Sequence, residues 1–132
     1  ALGHRFRSQT DTEVILAAYD AWGTDAVLRL VGMFAFAVWD SLRNRLWVVR
    51  DRLGKKPIYY SQAGGVLRFA SELKALVRTG AVPLDVDDEA LRLYLRYGYV
   101  PSPHRIYAQV RKLPPAHMLL VEGGRVRVER YW

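Results

Sequence analysis

Apolar residues return every three to four positions after Thr10-Asp11-Thr12-Glu13, where Val14, Ile15, Ala18, Tyr19 and Trp22 share one helical face. Thr10 and Glu13 have the spacing of a capping box, so the pattern predicts an amphipathic helix opening there. Gly23 can turn left-handed past its end. Thr24-Asp25 can then cap a shorter helix that carries Val27, Leu28 and Val31 and closes at Gly32. From Phe34 the period changes to two, with Phe34, Phe36 and Val38 on one face and Ala35, Ala37 and Trp39 on the other. Both faces are apolar, which predicts a strand covered on both sides. A turn at Asp40-Ser41-Leu42-Arg43-Asn44 leads back through Leu46, Trp47, Val48 and Val49, the second strand of a hairpin.

A polar loop over residues 51–57 precedes Ile58-Tyr59-Tyr60, and Ala63-Gly64-Gly65 separates that run from Val66-Leu67-Arg68-Phe69-Ala70. The four runs read as one meander. Ser71 can cap a helix with Leu73, Leu76 and Val77 that ends near Gly80, and Asp87-Asp88 precede another with Leu91, Leu93, Tyr94 and Leu95. Pro101, Pro103, Pro114 and Pro115 keep residues 99–116 extended. Glu122-Gly123-Gly124 between Met118-Leu119-Leu120-Val121 and Arg125-Val126-Arg127-Val128 signals a second hairpin. Strands bracketed by helices imply an α+β layered fold, a mainly antiparallel sheet with helices on at least one face. The outer strands of the meander would present open edges, so strands are expected to be missing at the front.

Composition narrows the class. With 132 residues, 51% hydrophobic and 25% charged, the chain has the makings of one folded domain rather than a disordered tail. No apolar run approaches the roughly 18 residues that suggest a membrane-spanning helix. Twenty Lys and Arg against 13 Asp and Glu give a charge of +7, which suits an anionic partner such as nucleic acid or serves solubility alone. There is no cysteine, so disulfides, thiolate metal sites and thiol nucleophiles are excluded from what the chain does unaided. Ala1-Leu2-Gly3-His4-Arg5 has neither an initiator Met nor the apolar core of a signal peptide, and is expected to begin within a longer protein.

Several short constellations point to chemistry and mostly fail on context. Ser71-x-x-Lys74 has the spacing of a serine–lysine nucleophile pair, but its expected partner motifs do not follow, and a helix cap explains Ser71. Arg52-Leu53-Gly54-Lys55-Lys56-Pro57 lacks the second glycine and the hydroxyl of a phosphate-binding loop, and reads as a solvated basic turn suited to an interdomain contact. His4, His104 and His117 are too widely spread for a metal, and Asp85-Val86-Asp87-Asp88 lacks the glycine and glutamate of a calcium loop. Arg92, Tyr94, Arg96, Tyr97 and Tyr99 could stack and neutralise single-stranded nucleic acid, or form a half-buried helix face. Asp11 stands directly after the helix cap. It either serves the helix end electrostatically or pairs with the ammonium group of an amino-acid ligand.

Longer segments carry a resemblance. Thr10-Asp11-Thr12-Glu13-Val14-Ile15-Leu16, Gly32-Met33-Phe34-Ala35-Phe36-Ala37, Arg50-Asp51-Arg52-Leu53-Gly54-Lys55-Lys56-Pro57-Ile58-Tyr59-Tyr60 and Phe69-Ala70-Ser71-Glu72-Leu73-Lys74-Ala75-Leu76 occur in that order. Tyr97-Gly98-Tyr99-Val100-Pro101 and Lys112-Leu113-Pro114-Pro115-Ala116-His117 follow. Together they resemble the class II glutamine amidotransferase domain of glutamine-hydrolysing asparagine synthetases, over nearly the whole chain. The resemblance implies an N-terminal-nucleophile hydrolase fold of two stacked antiparallel sheets between helix layers, here incomplete at its N-terminus. Residues 1–132 would then be the later part of that domain. The resemblance further implies that an N-terminal cysteine attacks the glutamine side-chain amide, that the ammonia passes to a second domain using ATP and magnesium, and that asparagine is made, in the cytoplasm. Asp11 matches the aspartate that holds the α-amino group of glutamine, and this favours the ammonium-binding reading of that residue. Met33 and Lys55 match positions lining the ammonia passage.

The cysteine, the carboxylate-binding arginine and the oxyanion residues lie upstream of Ala1 in that pattern, and the synthetase domain lies beyond Trp132. Of the site residues, therefore, only substrate-binding Asp11 and the passage residues Met33 and Lys55 are expected here, with no metal, no cofactor and no activity of the chain alone. Expected partners are glutamine, the missing synthetase domain and further copies joined through open sheet edges, but no membrane. The alternative is a non-enzymatic protein- or nucleic-acid-binding module derived from the same domain.

Overall fold

The computed structural model describes residues 4–101 and 104–132; Pro103, one of the four prolines expected to hold the chain extended, lies outside them. Helix α1 (Asp11–Trp22) starts where the sequence pattern puts it, with the Thr10 hydroxyl accepting the Glu13 N–H at 3.4 Å. The following segment Gly23–Arg29 is a 3-10 helix that ends before Val31, so Val27 is buried while Val31 stands in solvent. Strands β1 (Ala35–Asp40) and β2 (Arg45–Arg50) form the first hairpin. Strands β3 (Tyr59–Ser61) and β4 (Arg68–Ala70) form the second, and α2 (Leu73–Arg78) and α3 (Asp88–Tyr97) come next. The short β5 (Arg111–Lys112) and the hairpin of β6 (His117–Glu122) and β7 (Arg125–Arg130) complete the chain. Gly123 and Gly124, at φ 56° and 74°, form a two-residue turn that L side chains rarely fit.

The predicted single meander is two hairpins in separate sheets. One sheet has the order β1-β2-β6-β7 and the other β4-β3-β5, all pairs antiparallel. The loop after β2 causes the split, because it carries the chain across to the second sheet and leaves the free side of β2 to β6. Period-two alternation in β2 then serves two cores. Trp47 and Val49 pack with Ala18, Tyr19, Val27 and Leu120 on the α1 side, whereas Val48 packs with Ile58, Tyr60, Leu113 and Leu119 between the sheets. A third cluster of Leu76, Val82 and Val110 lies under α2, on the Tyr59 side of β3. The order of layers is helix, sheet, sheet, helix.

Two other expectations fail for physical reasons. Ala37 and Trp39 are exposed, with 59% of Trp39 in solvent, so the face of β1 opposite Phe36 and Val38 is covered only at its Ala35 end, which packs against the core between the sheets. Helix α2 begins one residue past the expected cap: Glu72 is the N-cap, and neither its side chain nor that of Ser71 closes the helix end. By contrast, Asp87 caps α3 as expected, accepting the Ala90 N–H at 2.9 Å.

The α1 core is organised by aromatic contacts and one buried acid. Trp47 is fully buried, with its ring 5.3 Å from that of Tyr19 and 5.2 Å edge-on from that of Phe36. Asp40 accepts from the Tyr19 hydroxyl at 3.0 Å and from the Arg43 guanidinium at 2.9 Å. Hydrogen bonding from Arg43 is the main reason its pKa falls to about 2. Replacing Trp47 removes both aromatic contacts and leaves a cavity, so Trp47→Ala is expected to cost about 3–5 kcal/mol. The measurement is a shift of the urea unfolding midpoint; an unchanged midpoint would contradict the packing described.

Candidate functional site

Asp11 owes its position to a local fold-back ahead of α1. The Glu13 carboxylate accepts the N–H groups of Arg7 at 2.8 Å and Ser8 at 2.7 Å, together with the Ser8 hydroxyl. These hydrogen bonds, that of the Ser8 hydroxyl foremost, hold the Glu13 carboxyl below its ordinary pKa. Half of the expected capping box is therefore present. Glu13 reaches past the cap to residues 7 and 8 rather than back to the Thr10 N–H, and Ser8 is the residue whose part the sequence pattern did not reveal.

From the first turn of α1, Asp11 opens onto a cleft of about 390 Å³ that it lines with Val14, Ile15, Val31, Met33 and Phe34. Asp11 is the one charged residue in that lining. A single carboxylate at a helix start beside an aliphatic wall suits a ligand with an ammonium group and a short, uncharged chain. Met33 shares the cleft. Lys55 does not: it is exposed on the loop after β2 and contributes its backbone N–H to Asp51.

That loop is an internally braced structure, not the freely solvated turn its basic residues suggest. Asp51 and Arg50 are buried, while Lys55 and Lys56 alone of its cations face water fully. The Asp51 carboxylate accepts the N–H groups of Leu53 at 3.1 Å, Lys55 at 3.0 Å and Lys56 at 2.9 Å. The Arg50 guanidinium donates to the carbonyls of Lys56 at 2.8 Å, Leu113 at 2.6 Å and Gly54. Gly54 has φ 66°, and a Cβ there would stand 2.7 Å from the Pro115 ring and 2.9 Å from the Arg50 guanidinium, so only glycine fits. The loop reaches the cleft through its neighbours. The Asp51 N–H donates to the Phe34 carbonyl at 2.9 Å, and the Arg52 guanidinium donates to the Leu28 carbonyl at 3.1 Å, fixing the segment that forms the cleft wall.

The other singled-out residues stay apart. Ser71 is exposed at a bend, and His117 faces the Pro115 carbonyl at 2.7 Å. His4 lies 3.9 Å from Asp20. Among the described residues no three His, Cys, Asp or Glu side chains gather into a metal site. No helix among them is long and apolar enough to cross a membrane.

The profile of one protein family, described as the glutamine amidotransferase domain, matches residues 1–132. The chain belongs to that family. Asparagine synthetase [glutamine-hydrolyzing] 3 of Bacillus subtilis is 39% identical over 133 aligned residues, covering 100% of this chain and 22% of that protein. Putative asparagine synthetase [glutamine-hydrolyzing] 2 of Methanocaldococcus jannaschii is 35% identical, covering 93% of this chain and 24% of its own length. The chain thus spans about a quarter or less of the length of these relatives. Among solved structures, the glutamine phosphoribosylpyrophosphate amidotransferase of B. subtilis superimposes with a TM-score of 0.69 at 21% identity, over 99% of this chain and 24% of that one. That likeness is one of fold, the N-terminal-nucleophile hydrolase architecture of antiparallel sheets and flanking helices.

Within this amidotransferase domain, Asp51 is the acid whose removal tests the loop. Burial pushes its pKa up, but the backbone N–H groups of Lys56, Lys55, Leu53 and Gly54 together outweigh that and hold it below the ordinary value. A folded pKa below the unfolded value of about 3.9 means stability that is complete above that pH and is lost as pH falls through the folded pKa. Asp51→Asn is expected to cost about 2–4 kcal/mol at neutral pH. The gap from the parent chain should close on acidification. Chemical denaturation across pH measures both, and a gap that widens toward acid would refute the assignment.

Proposed function

We propose that this chain provides the substrate-holding wall of a glutaminase domain in a larger enzyme of the asparagine synthetase type, with Asp11 pairing with the α-ammonium group of glutamine. The observation that carries this reading is the lone carboxylate of Asp11 in an otherwise uncharged cleft. In the reaction, a thiolate adds to the side-chain amide carbon, ammonia leaves, and water releases glutamate from the thioester. The 132 residues contain no cysteine, so that thiolate has to come from outside them, and the chain alone is expected to be inactive.

Met33 would border the path of the released ammonia, a role supported by its place in the cleft with Asp11. Lys55 lies outside that lining, so its share in a passage rests on the resemblance alone. ATP and magnesium would serve the amidation of aspartate, and it is the resemblance that assigns them to a synthetase domain outside these residues.

The test joins this chain to the N-terminal segment of the 39%-identical B. subtilis relative, which the proposal requires to supply the thiolate, and follows ammonia release from glutamine. The isolated chain should release none and the fusion should turn over. Asp11→Ala in the fusion should raise KM by roughly 10- to 100-fold, the loss of one charge-assisted contact. An unchanged KM would refute the role of Asp11.

The outer edge of β1 adds a second proposal, because among the described residues β1 pairs with β2 alone and exposes Trp39 on one face. Copies of the isolated chain should associate through this edge. Strictly monomeric elution over a wide concentration range would rule that out.

A non-enzymatic module remains the second reading, supported by the exposed Tyr94, Tyr97 and Tyr99 beside Arg92 and Arg96. Arg96 already lies 5.2 Å over the Tyr97 ring, which leaves fewer free groups for a nucleic acid.

A further inference from the structure

A second concave region surrounds the short strand β5. Between the sheets, a cavity of about 370 Å³ is lined by Arg50, Tyr60, Arg105, Arg111, Lys112 and Leu113, among others. On the outer side of β5, one of about 190 Å³ is lined chiefly by Tyr59, Leu73, Ile106, Tyr107 and Val110. Arg105 and Lys112 line both, so the two form one trench with a cationic end and an apolar, aromatic end.

The charge balance of the trench is one-sided. No Asp or Glu occurs in either lining. Among the described residues Arg105, Arg111 and Lys112 take no part in the ion pairs, which occupy His4, Arg43, Arg45, Arg92 and Arg127 instead. Lys112 lies 5.5 Å over the Tyr59 ring, at the junction of the two ends. Arg50 adds a fourth positive charge, satisfied only by carbonyl oxygens. Cations left without carboxylates in a concave site raise the local concentration of anions. The dimensions suit a small molecule rather than a strand, since β5 is two residues long and its free edge offers few backbone groups to a peptide.

We propose that this trench binds a small amphipathic anion, its phosphate monoester or carboxylate head held by Arg105, Arg111 and Lys112 and its apolar part set among Tyr59, Ile106 and Tyr107. The site is separate from the Asp11 cleft, and the two linings share no residue.

The experiment titrates the isotope-labelled chain with phenyl phosphate, benzoate and benzyl alcohol at matched ionic strength and follows its amide resonances. At least one anion should give saturable shifts at residues 105–113 and at Tyr59 and Tyr60, and the better of the two identifies the head group. Benzyl alcohol should bind at least about tenfold more weakly, as should the anion to Arg111→Gln/Lys112→Gln. Arg105→Gln, on a separate segment, should weaken binding in the same way, while Arg125→Gln on the distant hairpin turn should leave it unchanged. The proposal is overturned if neither anion saturates by about 10 mM, if benzyl alcohol matches them, or if Arg125→Gln weakens binding as much as the trench variants. It is equally overturned if hexaglutamate binds there more tightly than either anion, which would make the trench a protein-docking edge.

Discussion

Two adjacent side chains of opposite charge, both buried, hold the fold together without holding each other. Arg50 and Asp51 leave water at the end of β2, and each is satisfied by backbone groups of the loop that follows. Burying either charge alone is expensive, and the cost is offset only when several oriented dipoles converge on it. Here the carboxylate gathers N–H groups and the guanidinium gathers carbonyls from the same short segment, so the loop has essentially one conformation. Further bonds leave from its ends. The Asp51 carbonyl accepts the Ala116 N–H at 3.0 Å, and the Tyr131 hydroxyl donates to the Arg50 carbonyl at 2.8 Å. The cleft wall at Phe34, the approach to β6 and the end of β7 all meet at this point.

The same loop explains how one strand can serve two cores. β2 places Trp47 and Val49 against α1 and puts Val48 and Arg50 on the opposite face, so the guanidinium reaches the Leu113 carbonyl between the sheets. The charge at the inner end of an apolar run is thus an inter-sheet connector. Pairing of β2 with β6 follows, because the turn into the second sheet vacates that edge.

How much of this the sequence discloses depends on the range of the interaction involved. Local signals survive in the structure: the Thr10 cap of α1, the Asp87 cap of α3 and the diglycine hairpin each involve residues within a few positions of one another. Predictions that depend on distant partners fare less well. The apolar alternation of β1 cannot tell that nothing among the described residues covers Ala37 and Trp39, and four consecutive strands do not disclose that they divide between sheets. Asp51 is readable from the pattern only as the start of a polar loop, although an acid directly after an apolar strand with Gly54 three positions on is the available hint of an inward-facing carboxylate. Met33, drawn from a resemblance, and Asp11, singled out by its place after the helix cap and given its ammonium reading by that resemblance, share a cleft because the Arg52–Leu28 and Asp51–Phe34 bonds hold its wall beside α1.

The exposure of Asp11 fixes what this cleft can achieve by itself. An ion pair formed in open water contributes about 0–1 kcal/mol, too little to hold a free amino acid at ordinary concentrations. The same contact becomes several-fold stronger once water is excluded, because the effective dielectric falls and the competing hydration of the ammonium group is lost. Asp11 begins α1 beside the Glu13 fold-back but stands uncovered, whereas the Arg50 and Asp51 side chains, whose loop bonds to the Phe34 segment of the cleft, are already out of water. On the proposed reading, affinity for an ammonium ligand therefore depends on excluding water from the first turn of α1, because the position of Asp11 supplies the geometry of such a contact but not the environment that gives it strength.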